Sequence, residues 1–77
     1  MVQAYVLIQT DVGKSGSVAA TVRDLEGVVE INEVTGPYDI IARLEADSVD
    51  TLGKLVLAKV QEVEGIHRTL TCTVVHG

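Results

Sequence analysis

The sequence contains no tryptophan or phenylalanine, only two tyrosines, one proline and one cysteine in 77 residues. One cysteine excludes an internal disulfide, and no Cys/His cluster has the spacing of a structural metal site. Basic residues are scarce too: six Lys and Arg face eleven Asp and Glu, a net charge of −5. The six are scattered, so no patch offers the phosphate neutralisation that nucleic-acid binding requires. No run of ~18 apolar residues occurs. Met1 leads straight into a strand-like segment without a charged leader, so neither export nor membrane insertion is indicated and the cytoplasm is the expected location.

What is present is aliphatic. Hydrophobic residues make up 47% of the chain, almost all Val, Leu, Ile and Ala, which favours strands and packed helices over disorder. A chain this short buries only about 60% of the surface its unfolded form exposes. With no covalent or metal staple, the expected source of further stability is association with other copies.

Val2 to Gln9 alternates with strand period, placing Ala4, Val6 and Ile8 on one face and Tyr5 and Leu7 on the other. A polar loop, Asp11 to Gly16, leads to a helix with Ser15 or Ser17 as N-cap and a stripe of Val18, Val22 and Leu25, closed by Gly27. Strands are expected over Val28 to Val34 and Asp39 to Ala46. Asp47-Ser48 opens a second helix running to about Glu62, with stripe Val49, Leu52, Val56, Val60 and Val63, and Gly65 ends it. Ile66 to Val75, rich in Thr and Val, is the last strand. Val29 and Ile31 are out of phase with Val28 and Val34, which suggests a bulge in the second strand.

The two halves repeat at a spacing of 38 residues. Leu25-Glu26-Gly27-Val28 corresponds to Val63-Glu64-Gly65-Ile66, Val18 and Val22 to Val56 and Val60, and Ala4, Val6 and Ile8 to Ala42, Leu44 and Ala46. A β-α-β unit, a turn, and a second β-α-β unit give an α+β fold, the ferredoxin-like βαββαβ arrangement. The whole chain, 1–77, is one domain: a four-stranded antiparallel sheet with two helices on one face. If Ala4, Val6, Ile8, Ile40, Ala42 and Leu44 look toward the helices, then Tyr5, Leu7 and Ile41 form an outward apolar face. Such a face predicts a homodimer, sheet on sheet, of the dimeric α+β barrel type.

Thr35-Gly36-Pro37-Tyr38-Asp39 joins the halves and holds the only proline. Pro presets φ, Asp can bond its own downstream backbone, and Gly lets the main chain approach a ligand, so this is the place to seek a small-molecule site. Unpaired backbone amides around Gly36 and Tyr38 would receive a small anionic group, or else Asp39 only closes the turn and Tyr38 only packs against a neighbour. Thr69, Thr71 and Thr73 form a hydroxyl row on one face of the last strand. Those hydroxyls either reflect β-propensity or line a cleft beside the turn.

Other motifs carry less. Gly13-Lys14-Ser15 stands between strand and helix, but the phosphate-binding loop it resembles needs a glycine where Ile8 lies. His67 and Cys72 point to opposite strand faces, while Cys72 and His76 lie about 13 Å apart along it, so they share no ion. Cys72 reads as a small buried hydrophobe. No Ser, His and acid form a recognisable catalytic set.

Three segments carry a family resemblance: Glu26-Gly27-Val28-Val29-Glu30, Val34-Thr35-Gly36-Pro37-Tyr38-Asp39-Ile40, and Glu64-Gly65-Ile66-His67-Arg68-Thr69-Leu70-Thr71. Together they resemble the effector-binding and assembly (RAM) domain of Lrp/AsnC-type bacterial and archaeal transcription regulators. The resemblance implies a ferredoxin-like fold that pairs through its sheets and assembles dimers into rings such as octamers. It implies amino acids or related effectors bound between dimers near Gly36, Pro37, Tyr38 and Asp39, with Thr69 and Thr71 nearby, and no cofactor. Full-length members add a DNA-binding helix-turn-helix, which this sequence does not show, so it resembles stand-alone members that could modulate full-length regulators by mixed assembly. The reading from a different class is a small dimeric ferredoxin-like enzyme with a pocket between sheet and helices.

Overall fold

The computed structural model describes residues 1–76. Its elements run β1 (Val2–Thr10), α1 (Ser15–Arg23), β2 (Val28–Glu33), β3 (Ile40–Ala46), α2 (residues 49–61) and β4 (Ile66–Thr73). The strands form one antiparallel sheet in the order β2-β3-β1-β4, so the two β-α-β halves interleave as the ferredoxin-like fold requires.

Register puts like with like. Ala4, Val6 and Ile8 of β1 lie opposite Leu44, Ala42 and Ile40 of β3. All six are at most 1% exposed, covered by Val18, Ala19 and Val22 of α1 and by Leu52, Val56 and Val60 of α2. Burying each of the larger side chains stabilises the fold by roughly 1.5–3 kcal/mol before entropy is subtracted. One strand period on β1 and β3 and one helical stripe on each helix therefore define the core.

The second strand is bulged. Val28 lies opposite Leu44 but Glu30 opposite Arg43, so Val29 is the extra residue. The insertion resolves the phase conflict: Val28 and Ile31 pack against the core while Val29 is exposed.

Helix ends differ from expectation. At α1 the N-cap position is Lys14, whose backbone is already helical (φ −106°, ψ −3°) and which makes no side-chain cap. Ser15 is thus inside the helix, and the Ser17 hydroxyl donates back to the Lys14 carbonyl at 3.1 Å instead of capping. At α2 the expected cap is present: Ser48 is extended and its Oγ accepts the Thr51 N–H at 3.1 Å. The helix then passes through a π-helical segment, Leu52–Leu57, before ending α-helical at Ala58–Gln61. Val49, expected in the buried stripe, is exposed, because as first helical residue it lies at the sheet's rim beside Met1, Val74 and Val75. The strands also stop short of the expected Val34 and Val75, and β3 begins at Ile40 rather than Asp39.

Candidate functional site: the central turn and the open sheet face

Residues 34–39 connect β2 to β3 and are closed by a single backbone bond, from the Val34 N–H to the Asp39 carbonyl at 2.8 Å. The Asp39 N–H donates to the Ile8 carbonyl at 2.9 Å, which ties the turn to β1. The Asp39 carboxylate is held too: its Oδ2 accepts the Thr10 N–H at 2.8 Å and the Thr10 hydroxyl at 3.1 Å. Asp39 and Tyr38 are half-buried, whereas Thr35, Gly36 and Pro37 are exposed. Nothing lies within 4 Å of where a Cβ on Gly36 would stand. Among the described residues, the N–H groups of Thr35, Gly36 and Tyr38 find no acceptor in the protein. The turn therefore leaves three backbone donors without a protein acceptor on a connection whose Thr35, Gly36 and Pro37 are exposed.

Thr69 and Thr71 lie at the same sheet but not at the same spot. Thr69 is opposite Ile8, which is opposite Ile40, so β1 separates Thr69 from the start of β3 by two strand spacings, about 10 Å. Thr71, opposite Val6, is a further ~7 Å along the strand. Both share a face with core residues and so point to the helix side. They keep exposure only because β4 is an edge strand, Thr69 half-buried and Thr71 exposed. Within one chain Thr69 stands at the turn's end of the sheet and Thr71 nearer its middle, and neither meets the turn.

The other sheet face is open. Leu7 lies between Ile41 and Leu70, and Tyr5 between Arg43 and Cys72. Tyr5 is 42% and Leu70 48% exposed. Cys72, expected to be buried, is exposed on this face, because its pairing with Tyr5 places it away from the helices. Polar groups edge the apolar centre: Arg43 pairs with Glu30 at 3.3 Å and Glu45 at 2.9 Å, and Gln3 donates to Glu45 at 3.3 Å. Exposed pairs of this kind contribute little stability by themselves.

Thr10 was not visible as a site residue in the sequence. It follows an alternating strand and its partner is 29 residues away, so no local pattern marks it. Among the described residues no three His, Cys, Asp or Glu are grouped to hold a metal. Among them, too, no helix is long and apolar enough to cross a membrane. At the opposite end of the sheet a hollow of about 560 Å³ opens between the end of α1 and α2, walled by Leu25, Gly27, Ala46 and Val56.

Comparison with known proteins agrees with this architecture. The family model of the Lrp/AsnC ligand binding domain matches residues 3–76. An HTH-type transcriptional regulator of Pyrococcus furiosus is 35% identical over 72 residues, covering 88% of this chain and 47% of the relative. This chain spans about half the length of the curated relatives it matches. A solved protein of Thermus thermophilus superposes with a TM-score of 0.92 at 30% identity, covering 100% of this chain and 96% of that one. For E. coli AsnC the TM-score is 0.89 at 26% identity, covering 99% of this chain and 52% of that one. The fold alone recurs in a Neisseria meningitidis transcriptional regulator solved in complex with L-Met, with a TM-score of 0.83 at 18% identity over 97% of this chain and 50% of that one. The matched domain is a regulatory ligand-binding domain rather than an enzymatic one, so the reading as a small dimeric enzyme gives way. The chain belongs to the Lrp/AsnC ligand-binding domain family.

Proposed function

We propose that this protein is an amino-acid-sensing assembly module that acts in the cytoplasm and influences transcription through partners rather than by touching DNA. The observation that carries the reading is the central turn of a ligand-binding-domain fold: free N–H groups at Thr35, Gly36 and Tyr38 on an exposed backbone held to β1. An α-carboxylate fits those donors. Tyr38 offers an apolar wall, and Gly36, Pro37 and Asp39 complete the turn.

A second copy covers the open face around Tyr5, Leu7, Ile41 and Leu70, sheet on sheet, and dimers close into a ring. Turns of neighbouring dimers then meet, and Thr69 and Thr71, which do not reach the turn within one chain, reach an effector held between dimers. That the N. meningitidis regulator of this fold was solved with L-Met favours an amino acid as the effector class. Regulators of about twice this length that share the domain are the natural partners for mixed assembly. With a net charge of −5, this chain has no basic patch with which to bind DNA.

A thermal-shift screen against the twenty standard L-amino acids tests the reading. A ligand at a hundred times its Kd stabilises by about 2.7 kcal/mol, a rise on the order of 10 °C for a domain of this size. If none of the twenty raises the melting temperature at millimolar concentration, the amino-acid reading is wrong.

A further inference from the structure

We propose that Thr10 is the positioning residue of the central turn, holding it in one binding-ready form; the inference rests on the amino-acid reading above and deepens it.

Three atoms of Asp39 are fixed, and two of the three are fixed by β1. Its N–H donates to the Ile8 carbonyl at 2.9 Å, its carbonyl accepts from Val34 at 2.8 Å, and its Oδ2 accepts both donors of Thr10, at 2.8 and 3.1 Å. Bonds to an ionised carboxylate are about twice as strong as neutral ones. Pairing of β1 with β3 ends at Ile8 opposite Ile40, so Thr10, two residues on and facing the same side as Ile8, has no β3 residue opposite it and its amide is free to meet the Asp39 carboxylate. One residue on, the Asp11 N–H donates to the Gly65 carbonyl at 2.8 Å, so the end of β1 is anchored to the start of β4 as well. Thr10 thus stands on a fixed point and grips a connection that is otherwise closed by one backbone bond.

The consequence concerns how an effector is recognised. Asp39 spends Oδ2 on Thr10, so it does not act chiefly as a free counter-charge for the ligand's ammonium. Its carboxylate works inward, as the handle by which β1 sets the direction of the Thr35, Gly36 and Tyr38 amides. A connection of this length without that handle spreads over several conformers, and apparent affinity falls by the fraction that remains competent.

The test compares wild type with Thr10→Val, which keeps shape and the backbone bond but lacks the hydroxyl, and Thr10→Ser, which restores a hydroxyl. Two readouts are taken: calorimetric affinity for the L-amino acid giving the largest shift in the screen, and amide hydrogen exchange at Asp39 relative to Val6 and Ala42. Thr10→Val should bind about tenfold more weakly, lose several degrees of melting temperature, and exchange faster at Asp39 by a larger factor than at Val6 or Ala42, whereas Thr10→Ser should stay close to wild type. Wild-type affinity in Thr10→Val, or an Asp39 amide whose exchange rises by no larger factor than that of Val6 or Ala42, overturns the proposal. Should no amino acid bind wild type, the functional reading above fails on its own, and the exchange at Asp39 alone decides whether Thr10 holds the turn.

Discussion

Gly27 lies against Val56 so closely that a Cβ added to the glycine would stand 2.7 Å from the valine Cγ2. The same contact occurs at its counterpart 38 residues on, where a Cβ on Gly65 would stand 2.9 Å from Val18 Cγ2. The glycine that ends each half's helix therefore packs into the helix stripe of the other half. Both glycines have a positive φ, +93° and +97°. The internal repeat is thus an interlock: each half supplies the close approach that lets the other's helix settle on the sheet.

Alanine at either glycine should destabilise by about 1–3 kcal/mol, combining left-handed strain with overpacking. The two sites should differ in order. The next atom stands at 3.2 Å in both cases and is set by backbone, the Glu45 carbonyl at Gly27 and Lys14 Cβ at Gly65, so the tighter valine contact at Gly27, 2.7 Å against 2.9 Å and backed by the other Val56 methyl at 3.4 Å, decides the order. Urea unfolding should rank Gly27→Ala as the more damaging; the reverse order would mean that the interlock is not what these glycines serve.

Leu7→Lys should break the assembly. Leu7 sits in the middle of the open face, with Ile41 and Leu70 as its cross-strand neighbours, so a lysine there places a charge at the centre of the proposed interface. The core beneath is untouched, since Leu7 points away from the helices. Light scattering should report a multiple of the chain mass for wild type at micromolar concentration and a smaller species for the variant. A monomeric wild type would end the sheet-on-sheet reading.

Duplex DNA should not be retained by the isolated chain at ~150 mM salt. Six basic residues against eleven acidic ones, with Arg43 already paired to Glu30 and Glu45, leave little to displace counterions from phosphate. Retardation of a duplex in the presence of competitor would contradict this, and the proposal that the chain acts through partners would go with it.

Much of this architecture was legible because it is periodic. Alternation in Ala4, Val6 and Ile8, its echo in Ile40, Ala42 and Leu44, and the stripes Val18/Val22 and Val56/Val60 each repeat locally, and hydrophobic burial rewards one phase only. Even the bulge at Val29 was written as a phase conflict. What failed depended on longer-range choices. Val49 keeps helical spacing to Leu52 but lies at the sheet's rim, and Cys72 is apolar enough to be buried but pairs with Tyr5 on the open face. Ser15 and Ser17 lost the cap because Lys14 had already turned helical, which leaves both inside α1. At the site, Gly-Pro marked the turn itself. The grip of Thr10 on Asp39 joins distant residues with no pattern to announce it, and the facing of Thr69 and Thr71 follows from the register of β4 on β1.

Gly36→Val addresses the turn most directly. Glycine at this position leaves the main chain bare, and the space where a side chain would project is empty, so valine meets no neighbour in the folded chain and its cost is confined to local backbone strain in the turn, where φ is +158°. It would instead shield the Gly36 and Tyr38 amides from an approaching carboxylate. Because those amides have no acceptor among the described residues, covering them removes no internal bond, and folding and assembly should survive better than binding does. Calorimetry on the effector found by the screen should show at least a tenfold loss, about 1.4 kcal/mol, since the loss of even one charge-assisted N–H bond is worth that much. Light scattering and the melting temperature, taken on the same sample, establish that the variant is folded and assembled. If it is, and the same amino acid still binds as tightly as to wild type, the carboxylate does not sit on this turn and the site lies elsewhere on the domain.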